Sequence, residues 1–158
     1  MTARNIFKRE EGFTLIELLV VIGILAILLA ITLIAINPAR QFGQANDTKR
    51  RSDINAILNA IGQYQASNAG NLPSEVAGLT PGTPVMLNDA TALSTLCAKL
   101  VPTYVPALPT DPSLNTQAGI SSCAGSWGNT DYQVEIDASN RVTVIAPTAY
   151  SGPIQVTR

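Results

Sequence analysis

The sequence predicts an α+β protein in which a long N-terminal α-helix, transmembrane and then amphipathic, packs against a small antiparallel β-sheet. Three observations predict it. Every residue from Leu18 to Ile36 is apolar except Gly23 and Thr32. Further on, Ile54, Ile57, Leu58, Ile61 and Tyr64 recur at the spacing of one helix face. Finally, Tyr132 to Asp137 and Arg141 to Ile145 alternate apolar and polar residues on either side of Ala138-Ser139-Asn140, the pattern of a hairpin.

The first element is read from its length. At about 1.5 Å per residue, Leu18 to Ile36 matches the ~30 Å hydrocarbon core of a bilayer. Arg4, Lys8 and Arg9 precede it, so the leader is expected to stay cytoplasmic and the rest to face outward. An ordinary secretory signal has an apolar core of only ~7–15 residues, followed by a small-x-small cleavage site. Here the run is longer, and the polar-to-apolar junction comes before it, at Gly12-Phe13. A cut there leaves the apolar helix on the mature chain.

Glu17 stands in the first turn of that helix. A carboxylate near a helix N-terminus is favoured by the macrodipole and can snorkel toward the interface. An ionisable side chain in a membrane segment is nevertheless costly and usually marks an interaction. Cleavage after Gly12 creates an α-amine on Phe13. In a stack of identical helices, that amine can meet the Glu17 carboxylate of a neighbour.

Gly12-Phe13-Thr14-Leu15-Ile16-Glu17-Leu18, followed by the apolar helix, resembles the class III signal of type IV pilins and type II secretion pseudopilins. The resemblance covers about a quarter of the chain. It implies that a prepilin peptidase cuts after Gly12 and N-methylates Phe13, and that Glu17 is the assembly glutamate. It also implies a helical homopolymer of this subunit, driven by an assembly ATPase and a platform protein. The implied segments are a leader over 1–12, a helix over 13–66 whose transmembrane half is 13–36, and an exported domain over 67–158.

Asn37-Pro38 closes the apolar run. Proline removes a backbone donor and clashes with the preceding turn, so Pro38 either kinks the helix or ends the transmembrane segment. The helical pattern then resumes and runs to a stop at Asn68-Ala69-Gly70. Lys49-Arg50-Arg51, flanked by Asp47 and Asp53, reads as a solvated face suited to subunit or lipid-headgroup contacts. The chain has 10 basic and 11 acidic residues, so nucleic acid is not an expected partner.

The remaining residues suffice for one small domain with a thin core. Proline and glycine between Gly70 and Pro112 argue for loops, with a short helix around Ala90 to Leu100 presenting Leu93, Leu96 and Leu100. Tyr104 to Pro112 resembles the proline-aspartate loop of pilin and pseudopilin domains. After the hairpin, Ile154 to Val156 adds an edge strand. Cys97 and Cys123 are the only cysteines and fall in the exported part, where a disulfide is expected. Two cysteines without histidine make a poor tetrahedral metal set. Asp111, Asp131, Glu135 and Asp137 could gather as calcium ligands, but surface solvation and hairpin registry account for them, and no metal or cofactor is expected.

The chain contains no histidine, which removes histidine-dependent nucleophilic catalysis, and its glycines form no phosphate-binding loop. No enzyme activity is expected. The favoured reading is the major subunit of a type IV pilus used for adhesion, motility or DNA uptake. It would wait as a single-pass protein of the cytoplasmic membrane and end in a filament at the cell surface. A major pseudopilin of a type II secretion system shares every N-terminal feature. A minor pilin or adhesin and an unprocessed single-span protein are further alternatives.

Overall fold

The computed structural model describes residues 12–114 and 118–158. The expected leader and its cations Arg4, Lys8 and Arg9 fall outside the described residues, apart from Gly12. The chain divides into two compact units at Ala39/Arg40.

The first unit carries helix α1, Leu15–Ile36. Thr14 caps it, and no residue of α1 is buried. Its 22 residues make a rod of about 33 Å. Among the described residues it is the one helix long and apolar enough to cross a membrane.

The continuous helix expected over 13–66 is two helices. Asn37 adopts φ 45° and ψ 81°, which ends α1, and α2 begins at Pro38 and runs to Ser67. The physical reason lies in the dipeptide. A residue before proline is pushed out of the right-handed helical region, asparagine tolerates the left-handed one, and proline suits the first position of a new helix. At its far end α2 stops on Ala69 and Gly70, both at positive φ, where the Gly70 N–H donates to the Gln65 carbonyl (2.9 Å).

In the second unit, the α2 stripe Ile54, Ile57, Leu58 and Ile61 is buried. It belongs to the same apolar cluster as Val134, Ile136 and Val144 of the sheet. The sheet is a four-stranded antiparallel meander of β1 Val85–Asn88, β2 Asn129–Ile136, β3 Val142–Ala146 and β4 Ile154–Thr157, in the order β1-β2-β3-β4. In β2 the residues Thr130, Tyr132, Val134 and Ile136 are buried while their neighbours are not, the period-two pattern of a strand with one face on a core. The β2–β3 pairing aligns Ile136 with Val142 and Gln133 with Ile145. Asp137 builds the turn between them: its carboxylate accepts the Ser139 and Arg141 backbone N–H groups (2.8 and 2.9 Å) and the Arg141 Nε–H (2.7 Å).

The segment read as loops between Gly70 and Pro112 contains more structure than expected. Helix α3 occupies Ser74–Ala77 and buries Val76, and β1 pairs with β2. The short helix expected over Ala90 to Leu100 is regular only as α4, Leu96–Leu100, with Leu93, Leu96 and Leu100 all in the core. Cys97 of α4 is bonded to Cys123, closing a loop of sequence separation 26.

A cross-link over that separation restricts the unfolded chain by about 3 kcal/mol in the loop-entropy account. Reduction of the purified chain is expected to lower its melting temperature by roughly 10 °C or more, since 1 kcal/mol moves a small domain by about 4–8 °C. An unchanged melt with both thiols shown free would contradict the stabilising role of the bridge.

Candidate assembly site

Gly12 and Phe13 are exposed and lie outside regular structure ahead of α1, with Phe13 91% accessible. Open, non-helical backbone is what a peptidase needs to bind a scissile bond. Thr14 and Glu17 then close the first turn reciprocally. The Glu17 N–H donates to Thr14 Oγ1 (3.3 Å), while the Glu17 carboxylate accepts the Thr14 N–H (2.9 Å) and Thr14 O–H (2.7 Å). This is a capping box, which supplies partners for N–H groups that a helix start leaves open. It also fixes where the acid points. The Glu17 carboxylate is folded back over the N-terminal end of the helix, bonded to the residue directly after Phe13. Within one chain the acid therefore has local partners and retains acceptor capacity.

The second polar feature of the molecule lies in α2, and sequence reasoning missed it. Arg50 is only 4% accessible, which corrects the expectation that Lys49-Arg50-Arg51 is a solvated face. Its guanidinium forks onto Asp111, with Nε–H to Oδ2 at 2.6 Å and Nη2–H to Oδ1 at 2.8 Å, and Nη1–H reaches Asp47 (2.9 Å). Asp47 in turn accepts the Tyr150 N–H, the Ser151 N–H and the Ser151 O–H. Asp111 accepts the Ser113 N–H and O–H and the Thr148 O–H. Beside this network Asp53 receives both Lys49 Nζ (2.6 Å) and the buried Tyr132 hydroxyl (2.8 Å). Arg51 is exposed.

Asp111 thus leaves the solvated set to which it was assigned, because the proline-aspartate loop carries it into the interior against Arg50. It does not converge with the other three acids. Asp137 serves its turn, and Asp131 bonds with Asn129 (3.1 Å). Among the described residues no cluster of three acid, cysteine or histidine side chains could hold a metal ion. The network has a readable signal. Asp47, Arg50, Ile54, Ile57 and Ile61 follow at steps of three and four, so the charged residues stand in phase with the apolar stripe.

Burial pushes both aspartates up, but the bonds they accept outweigh it. Those from Ser151, Tyr150 and Arg50 hold Asp47 at about 2, and those from Arg50 and Ser113 hold Asp111 at about 2. The Asp111 and Asp47 carboxylates also raise Arg50 above its usual range, against the effect of its own burial. Burial, reinforced by Asp53, drives the Tyr132 phenol well above its ordinary value.

The described residues thus comprise one helix long and apolar enough to cross a membrane, an exposed Gly12-Phe13 junction before it and a separate disulfide-linked α+β unit. A family model described as the prokaryotic N-terminal methylation motif matches residues 7–33. Type II secretion system core protein G of Aeromonas hydrophila is 29% identical over 147 residues, covering 80% of this chain and 98% of that protein. No solved structure gives a significant match. Both similarities point to the type IV pilin and pseudopilin family.

The depressed values of Asp47 and Asp111 set the sign of an acid dependence. Their contribution is complete above the unfolded value of ~3.9 and is lost as the pH falls through about 2. Asp111→Asn is expected to destabilise the chain by on the order of 3 kcal/mol or more at neutral pH, because Arg50 loses half of a buried pair. Thermal melts between pH 5 and 2 should also show a shallower acid limb for this variant. Equal stability and an identical acid limb would count against the network.

Proposed function

We propose that the chain is the structural subunit of a type IV pilus, of the major-pilin kind. Prepilin peptidase would cut it between Gly12 and Phe13 and methylate the new terminus. The observation that carries this reading is the pairing of an accessible Gly12-Phe13 junction with an apolar helix that buries none of its residues in its own chain. Such a helix needs lipid or other helices around it.

The chemistry of assembly follows from the same residues. Before assembly α1 lies in the cytoplasmic membrane, and Thr14 lowers the cost of placing Glu17 near the bilayer. In the filament the helix exchanges lipid for copies of itself, driven by an assembly ATPase and its platform protein. Lipid and apolar helices are alike in hydrophobicity, so that exchange gains little by itself. Specificity then comes from packing and from one charge pair. The Phe13 amine of an incoming subunit meets the Glu17 carboxylate of its neighbour and sets the axial register. The subunit is a non-catalytic building block for adhesion, motility or DNA uptake at the cell surface.

A second reading has one observation in its favour. The Aeromonas hydrophila relative is a type II secretion protein, which supports a major pseudopilin forming a short periplasmic assembly. Electron microscopy of sheared surface material separates the two. Long fibres of this subunit are expected. Glu17→Ala is expected to insert in the membrane normally and to yield few or no fibres. Normal fibres from that variant would remove the register argument, and short cell-internal assemblies from the wild type would favour the pseudopilin.

A further inference from the structure

Outside α1 and Phe13, the described residues leave two large hydrophobic side chains exposed: Phe42, 72% accessible, and Tyr150, 60% accessible. They are 108 positions apart in the chain but lie at one place in the fold. The Tyr150 ring lies across the α2 backbone at Gly43, where an added Cβ would come within 2.5 Å of Tyr150 Cγ. Gly43 follows Phe42 directly. The Tyr150 N–H is also bonded to Asp47 in the next turn (2.9 Å). The β3–β4 loop is therefore pinned to the first turns of α2, and exposed Tyr150 is held against the residue that follows exposed Phe42.

We infer that this aromatic edge rests on the bilayer surface, so that the folded domain touches the lipid headgroups while the subunit waits in the membrane. The inference rests on the membrane-anchored state proposed above. Three observations favour lipid as the occupant. First, Phe42 lies only six positions beyond Ile36, the end of the apolar helix. That reach, about 9 Å if helical, is comparable to the interfacial layer on one side of a bilayer. Second, tyrosine, like tryptophan, concentrates in that layer, where its apolar ring and polar tip both find suitable surroundings. Third, the local charge is compatible with anionic headgroups. The stretches 38–46 and 147–152 contain no carboxylate, Arg40 is their one charged residue, and the nearby Asp47 is taken up by Arg50, Tyr150 and Ser151. The opposite end of β3, at the Ala138-Ser139-Asn140 turn, has no such aromatic pair.

The test is photocrosslinking of the full-length chain in vesicles of phosphatidylethanolamine and phosphatidylglycerol. The photoreactive residue p-benzoylphenylalanine replaces, in separate proteins, Tyr150, Leu25 in the apolar helix, and Ser139 in the distant turn. Mass spectrometry identifies the adducts. Lipid adducts at positions 150 and 25 and none at 139 are expected. Adducts at 25 but not at 150 overturn the contact while leaving the anchored state intact. Adducts at 150 joining two copies of the chain overturn lipid as the occupant in favour of a subunit contact. Equal lipid labelling at 150 and 139 overturns the defined edge, and absence of lipid at 25 overturns both the contact and the anchoring on which it rests. Because the aromatic replacement at 150 could disturb the Gly43 packing, a second variant, Phe42→p-benzoylphenylalanine, is read in the same way.

Discussion

The organising constraint is an apolar helix with no buried residue among those described. All 22 residues of α1 are exposed, from Leu15 to Ile36. Water is a poor medium for such a surface. The second unit is satisfied by itself, because Ile54, Ile57, Leu58 and Ile61 close against the strands.

Within the second unit, the start of α2 is tied down by polar contacts. Phe42 and Ala45 bury little, so the first turns of α2 are held to the domain chiefly by Asp47 and Arg50. Those two side chains reach the 109–113 loop and the β3–β4 loop at once. A bidentate guanidinium–carboxylate pair has a demanding geometry, and every buried polar side-chain atom described has a partner. The network therefore fixes the position of helix and loops as much as it stabilises them. It also places Tyr150 against Gly43.

Much of the architecture is legible in the sequence because it rests on strong periodicities. The apolar run, the stripe through Ile61 and the Tyr132–Ile145 hairpin each have many residues voting for one pattern. The helix break at Asn37 is less legible, since a proline in a helical pattern permits either a kink or an end, and the choice depends on Asn37 accepting a left-handed conformation. Strand β1 has four residues and no alternation long enough to register; it exists because β2 offers it an edge. The usual behaviour of charge runs places Arg50 on the surface. Its burial depends on Asp111, 61 residues away, arriving on a loop, and only the phase of Asp47 and Arg50 with the stripe hinted at it. At the assembly site the residue types are plain in the sequence, whereas the Thr14–Glu17 bonding that aims the carboxylate back along the helix is a matter of geometry.

The central claim is that the chain becomes competent to join copies of itself when a new amine is exposed next to Glu17. The most direct measurement is the intact mass and N-terminal sequence of the native protein recovered from its cells. The account predicts a chain that starts at Phe13 and carries one added methyl group. Native material that begins at Met1 and stays monomeric in the membrane would contradict it.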